Sequence, residues 1–175
     1  MYFLIGLPAS GKSYWGYLWA KAANLPFVDL DTAIEGAAGC PIKEIFEKEG
    51  EAGFRARETA VLKALIFGGD PQTIVATGGG TPAFGLNLEL MKKSGTVVYL
   101  QAPTLLLAQR IFPEKEHRPL FRDCQKAAEV ELLLVRILAG RAPFYKEAHL
   151  TLPVENLSGA TFEKTIQCFI VRPCS

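Results

Sequence analysis

The chain has 175 residues, with 19 Lys and Arg against 18 Asp and Glu. That is the length of one domain, with enough chain to bury a core unaided by disulfides or a structural metal. The charge balance argues against the basic surface that broad nucleic-acid binding needs. No apolar run approaches the roughly 20 residues that span a bilayer, and no basic segment precedes the apolar start as an export signal requires. The cysteines, Cys40, Cys124, Cys168 and Cys174, form no CxxC pair and have no His at zinc-ligand spacing. The expectation is a cytoplasmic protein with reduced thiols and neither a membrane nor a nucleic-acid partner.

In chain order, short apolar runs alternate with longer helical patterns. Tyr2 to Ile5 reads as a strand ending at Gly6, and Ser13 to Asn24 as a helix stopped by Leu25-Pro26. Phe27 to Leu30 is a short strand that ends in acidic residues. Helical spacing follows from Pro41 to Glu49 and again from Glu51 to Phe67, until Gly68-Gly69-Asp70-Pro71 breaks it. Thr73 to Thr77 is a β-branched strand running into Gly78-Gly79-Gly80, followed by a helix from Leu86 to Lys93. Thr96 to Leu100 reads as a buried strand and Thr104 to Ile111 as a helix. Phe112 to Asp123 is charged, carries two prolines and has no apolar period. A helix from Glu129 to Ala139 continues toward Tyr145. Leu150 to Leu152 reads as a last strand and Ala160 to Val171 as a last helix.

This alternation predicts a parallel sheet with crossover helices on its faces, and strands as apolar as TVVYL fit burial on both sides. Ligands of such sheets sit at the carboxyl ends of the strands. Three runs fall there: residues 6–13, 29–31 and 78–80.

Residues 6–13, GLPASGKS, match G-x-x-x-x-G-K-[ST] in full, after an apolar strand and before a helix. The glycines let backbone N–H groups turn toward phosphate oxygens, and the following helix points its positive end at the same oxygens. Lys12 then reaches the β- and γ-phosphates and Ser13 offers its hydroxyl to Mg²⁺. A plain turn would not call for Lys and Ser after the second glycine. Asp29 and Asp31 flank Leu30, where extended alternation would put both on one side. One carboxylate suits Mg²⁺ through water and the other a hydroxylated substrate. The alternative for Asp31 is a helix N-cap. Arg55 and Glu58 share a helix face, so Arg55 can present its fork to a substrate carboxylate. The alternative is an exposed ion pair. Gly78-Gly79-Gly80 permits close backbone approach to a ligand, or is a plain loop.

Together these motifs resemble the shikimate kinases, of the P-loop nucleoside-monophosphate-kinase-like group. The resemblance runs through GLPASGKS, DLD at 29–31, GFRARE at 53–58, GGG at 78–80, HRPLF at 117–121 and GRAPFY at 140–145. It spans roughly Leu4 to Tyr145. It implies one three-layer α/β/α domain over 1–175 with a central five-stranded parallel sheet, a lid at about 112–123 and a substrate-binding helical region at about 31–60. The implied activity is ATP-dependent phosphorylation of the 3-hydroxyl of shikimate, a step of aromatic amino acid biosynthesis, by a monomer using Mg²⁺.

The resemblance assigns ATP binding to Gly6, Ala9, Ser10, Gly11, Lys12, Ser13, Tyr14, Arg110 near the adenine and Arg118 on the lid. It assigns the metal to Ser13 and Asp29. Shikimate falls to Asp31, Gly78, Gly79, Gly80, Arg141 and Arg55, the last held by Glu58. Lys12, Asp31 and Arg118 are the implied catalytic residues. The chain departs from the family pattern at Ala9, where a third glycine is common, and at Phe121, where Leu is common. It departs again at 153–159, where the adenine loop often carries a basic residue. Two other readings compete: a related small-molecule kinase acting on gluconate or a nucleoside monophosphate, and a non-catalytic nucleotide-binding module. Arg55 and Arg141 with the triple glycine suit a compact carboxylated polyol, and intact Lys12, Ser13, Asp29, Asp31 and Arg118 favour catalysis.

Overall fold

A computed structural model describes residues 1–155, 157–162 and 164. Five strands, β1 (Tyr2–Ile5), β2 (Phe27–Asp29), β3 (Ile74–Ala76), β4 (Thr96–Gln101) and β5 (Leu150–Pro153), form one sheet in the order β2-β3-β1-β4-β5. Every pairing is parallel. The helices are α1 (Lys12–Ala23), α2 (Leu30–Ala38), α3 (Ile42–Gly68), α4 (Asn87–Ser94), α5 (Thr104–Ile111) and α6 (Ala127–Tyr145). They flank the sheet, giving the three-layer α/β/α arrangement. The apolar strands follow from that cover: Phe3, Leu4 and Ile5 of β1 and Ile74 and Val75 of β3 are fully buried. Each such side chain contributes about 1.5–3 kcal/mol of burial.

The register decides where the site lies. Leu4 of β1 and Asp29 of β2 both stand level with Ala76 of β3. The residues that follow, Gly6, Leu30 and Gly78, therefore leave the sheet along one edge. The chain passes from β1 to β2 and β3 on one side and to β4 on the other, so the loop after β1 sits where strand order reverses, the crevice that such sheets use for ligands. Thr77 carries the β1–β3 ladder one step further, its N–H and Oγ both donating to the Leu4 carbonyl at 3.1 and 2.9 Å.

Most elements fall within a residue or two of their expected bounds, and α5 matches its own. The two helical stretches expected around Gly50 meet at that residue, whose φ of 67° and ψ of −173° break the helical path of α3. Arg57 spans the break, donating from Nε and Nη2 to the two oxygens of Glu49 at 2.8 and 2.7 Å. The second arginine of the FRARE run thus serves the bend, while Arg55 faces the site.

One local expectation is overturned. Residues 29–31 are not extended throughout: β2 ends at Asp29 and α2 starts at Leu30. The Asp29 carboxylate accepts from the backbone N–H of Asp31 at 3.0 Å and of Thr32 at 3.5 Å, so Asp29 is the N-cap and Asp31 sits in the first turn.

Phe112–His117 and Pro119–Phe121 are short 3-10 turns, each with a proline in its first two positions. Phe121 is buried. Lys115 Nζ ties the segment's end by donating to the carbonyls of Cys124 at 2.7 Å and Arg122 at 3.3 Å. A helical turn begins at residues 159–162, and Phe162 packs on Trp15 and Trp19. Residues 163 and 165–171 of the expected last helix lie outside the described residues, with Cys168, Cys174 and Asn156 of the 153–159 run. Cys40 and Cys124 are free thiols.

Candidate active site

The loop after β1 is shaped by three residues with positive φ: Gly6 at 145°, Ala9 at 61° and Gly11 at 90°. A Cβ at Gly6 would lie 2.7 Å from the Leu100 carbonyl oxygen, so the loop passes closer to β4 than any other residue allows. Gly11 starts α1 with no side-chain cap, and no acidic residue occupies the first turn. The free N–H groups and the positive end of the helix dipole stay directed at the loop. Lys12 Nζ donates to the carbonyls of Gly6 at 3.0 Å and Leu7 at 2.9 Å. Desolvation brings the Lys12 ammonium down to about 8, opposed by Asp31 and Asp29 and assisted by Arg141 and Arg118. Five groups from four places in the chain therefore share one electrostatic site. Ser10, within the loop, is buried. Tyr14 is exposed and packs edge-on against Trp15 at 5.2 Å. Arg110, near the end of α5, donates from Nη1 to the Ala9 carbonyl at 3.1 Å.

The acidic side follows from the cap at Asp29. While Oδ1 holds the start of α2, Oδ2 accepts from Ser13 Oγ at 2.5 Å. Asp31 keeps access to solvent. Even so, the protein around its carboxyl raises it to about 6, through desolvation first, then Asp29 and Glu58, with Lys12 opposing. A Cβ at Gly78 would stand 3.4 Å from Asp31 Oδ1 and 2.9 Å from Glu58 Oε1.

Two guanidinium groups bracket the next two glycines. A Cβ at Gly80 would lie 2.5–3.0 Å from Nη2, Cζ and Nη1 of Arg55, and one at Gly79 would lie 3.1 Å from Nη1 of Arg141. None of the three glycines needs a positive φ. They are glycines because side chains would crowd the two arginines and, at Gly78, Glu58 Oε1 and Thr81 Oγ1 at 2.9 and 3.0 Å. Arg55 Nη1 donates to Glu58 Oε2 at 2.8 Å, with the side chains 13% and 0% exposed. This is a buried pair, not the exposed pair that was the alternative. Arg118, in the 3-10 segment, has Nη2 3.6 Å from Glu114 Oε2.

The sequence does not single out Tyr145 or Thr81. Tyr145 is fully buried, stacks on Tyr99 at 4.9 Å, and donates its hydroxyl to the Gly79 carbonyl at 2.6 Å. Burial pushes its hydroxyl up to about 12, against the pull of Arg141. The available signal was its spacing: Tyr145 is four residues after Arg141 on α6, hence on the same helix face. Thr81 donates to Glu58 Oε1 at 2.5 Å. Its signal was adjacency, a hydroxyl directly after the triple glycine.

A family model described as shikimate kinase matches residues 8–169. A shikimate kinase of Neisseria gonorrhoeae is 40% identical over 169 residues, which are 97% of this chain and 93% of that protein. The crystal structure of shikimate kinase from Bacteroides thetaiotaomicron is similar with a TM-score of 0.88 at 30% identity, covering 98% of both chains. Shikimate kinase from Acinetobacter baumannii, solved in complex with shikimate, has a TM-score of 0.83 at 38% identity, over 97% of this chain and 92% of that one. Since the match runs from the phosphate loop through α6 and embraces both arginines and the triple glycine, this chain belongs to the shikimate kinase family.

Proposed function

We propose that this chain transfers the γ-phosphoryl group of ATP to the 3-hydroxyl of shikimate, a step of aromatic amino acid biosynthesis, and that the residues above divide the work. One observation carries the assignment of roles: the glycine turn lies between the guanidinium groups of Arg55 and Arg141, beside Asp31 and within the field of Lys12. Two forks converging on one turn suit a planar carboxylate. A site built for that group rejects acceptors that lack it.

Phosphoryl transfer asks for positioning and charge neutralisation more than for covalent chemistry. The loop N–H groups, the α1 N-terminus and Lys12 receive the nucleotide phosphates, and Arg118 adds a cation from the lid. Arg110 and Tyr14 lie on the nucleotide side. Asp31 accepts the proton of, or orients, the attacking hydroxyl. The backbone of Gly78, Gly79 and Gly80 meets the ring. Glu58 holds Arg55, and Tyr145 holds the Gly79 carbonyl beside Arg141. Residues 112–123 act as a lid that excludes water at transfer and so limits idle ATP hydrolysis. The enzyme is taken to work as a cytoplasmic monomer.

The donor set fits Mg²⁺. Ser13 Oγ and Asp29 Oδ2 are hard oxygen donors 2.5 Å apart, and among the described residues no group of three or more His, Cys, Asp or Glu forms a closed metal cage. Mg²⁺ takes few protein oxygens and completes its shell with phosphates and water. Bound there, it would neutralise phosphate charge.

Arg141→Ala tests the carboxylate assignment. It should raise KM for shikimate by about 10- to 100-fold, the worth of one charge-assisted contact, and leave KM for ATP within about twofold. Steady-state kinetics with each substrate varied decides it; equal effects on both substrates would remove Arg141 from the acceptor site.

A further inference from the structure

We propose that Thr81 is a positioning residue for Arg55, and through it for recognition of the acceptor's carboxylate, with Asn87 and Thr59 bracing it from behind. The inference rests on Arg55 being the carboxylate contact.

Glu58 is fully buried and grips Arg55 through one oxygen alone, Oε2. A single hydrogen bond sets a distance and leaves a swing of the guanidinium that exposed Glu51, 3.6 Å from Nε, and the Phe54 ring, 5.2 Å from Cζ, restrain only loosely. The plane of the carboxylate fixes that swing, and its other oxygen is held by Thr81 Oγ1 at 2.5 Å. Without that hydroxyl, Oε1 would be a buried acceptor with no donor, a costly state that the carboxylate would relieve by turning.

Thr81 is itself fixed on its other side. Its carbonyl accepts from Asn87 Nδ2 at 3.1 Å, and Asn87 Oδ1 accepts from Thr59 Oγ1 at 3.0 Å. Thr59 follows Glu58 on α3. The ring therefore closes: Glu58 to Thr81, Thr81 to Asn87, Asn87 to Thr59, and Thr59 back to Glu58 along the helix. Thr81 and Asn87 are 0% and 1% exposed. Thr81 also directly follows Gly80, the glycine whose missing side chain makes room for the Arg55 guanidinium. The turn that faces the acceptor and the carboxylate that aims Arg55 are thus locked to each other by one residue.

The test compares Thr81→Val, Thr81→Ser, Thr59→Val and Arg55→Ala with the unaltered chain, by steady-state kinetics with each substrate varied. Thr81→Val keeps the shape and removes the hydroxyl. It should raise KM for shikimate about tenfold, with kcat and KM for ATP within about twofold, and Thr81→Ser should restore the original value. Thr59→Val, at a half-buried position, should move the same constant in the same direction by less, and carries the test if Thr81→Val does not fold. On an Arg55→Ala background the Thr81→Val effect should vanish, because coupled residues are not additive. The proposal is overturned if Arg55→Ala raises KM for shikimate while Thr81→Val and Thr59→Val do not. Equal changes for both substrates, or a failure of Thr81→Ser to rescue, overturn it too. If Arg55→Ala itself leaves KM for shikimate unchanged, the carboxylate assignment fails first and the inference falls with it.

Discussion

At Ala9 the backbone turns through a φ of 61°, a conformation in which an L side chain costs about 1 kcal/mol and glycine almost nothing. The family pattern often has glycine there, and Arg110 donates to the Ala9 carbonyl at 3.1 Å. Ala9→Gly should therefore raise stability, by up to about 1 kcal/mol after the loss of unfolded-state restriction is offset; urea unfolding measures it, and a lower midpoint would mean that the loop carries no strain. Asp31 bears a different kind of load. With its carboxyl raised to about 6 by desolvation and by Asp29 and Glu58, against Lys12, it stands beside the glycine turn and, unlike buried Glu58, is open to solvent. Asp31→Asn should cut kcat by about 10²- to 10⁴-fold, the usual worth of a positioned base, without changing ATP binding. Unchanged turnover would leave Asp31 as a charge in the first turn of α2. At this scale the sequence misplaces one job. D-L-D reads first as an extended pair, with a cap at Asp31 as the alternative, and the hydrogen bonds from the N–H groups of Asp31 and Thr32 to Asp29 show that Asp29 is the acid that caps.

Elements bring these residues together through close backbone approach. The turn after β3 is closed by the Thr81 N–H donating to the Gly78 carbonyl at 3.2 Å and runs into a single 3-10 turn at Thr81–Ala83, and Thr81 and Tyr145 tie it to α3 on one side and α6 on the other. Gly80→Ala would put a methyl group 2.5 Å from Arg55 Nη2, while Glu58 holds that guanidinium in place. The fold should persist, and KM for shikimate should rise about tenfold as one charge-assisted contact is misaligned by the displaced fork; titration of shikimate at saturating ATP measures it. An unaltered KM would show that Arg55 can step aside. The strands and α5 were legible because apolar period and breakers act locally. The break at Gly50 was legible as the gap between two helical stretches, but the continuity of α3 across it was not. The 3-10 turns at 112–121 were not, since they are set by two prolines and by Lys115 reaching carbonyls seven and nine residues on. Tyr145 and Thr81 were missed for a related reason: each finds its partner across the fold, Tyr145 on a carbonyl 66 residues away and Thr81 on a carboxylate 23 residues away.

Across the whole molecule, α6 is fastened to the sheet's edge by Tyr145, and this gives stability a pH signature. Tyr145 is neutral when folded and its hydroxyl is pushed from 10.0 to about 12 by burial. Below pH 10 both folded and unfolded states keep the proton, so the contribution is whole. Between pH 10 and 12 the unfolded chain loses the proton while the folded chain keeps it, so stability falls as pH rises, by about 2–3 kcal/mol for this group at most. Tyr145→Phe should be less stable near neutrality by about 1 kcal/mol, the net worth of one hydrogen bond, and the gap should narrow from pH 10 upward. Denaturant midpoints across that range measure it; a constant gap would mean that Tyr145 ionises as readily folded as unfolded. The layout of the molecule was readable in advance because parallel strands alternating with helices leave few arrangements. The strand order itself was not, since it depends on which strands pair.

The most direct measurement is ADP release with Mg-ATP, with shikimate, quinate, gluconate and nucleoside monophosphates offered in turn at equal concentration. Two guanidinium groups fixed around the triple glycine, beside Asp31, predict strong turnover with shikimate and background rates with gluconate and the nucleotides. Turnover on gluconate or a nucleoside monophosphate and none on shikimate would leave Lys12 and Ser13 at the phosphates and take Arg55 and Arg141 away from the acceptor.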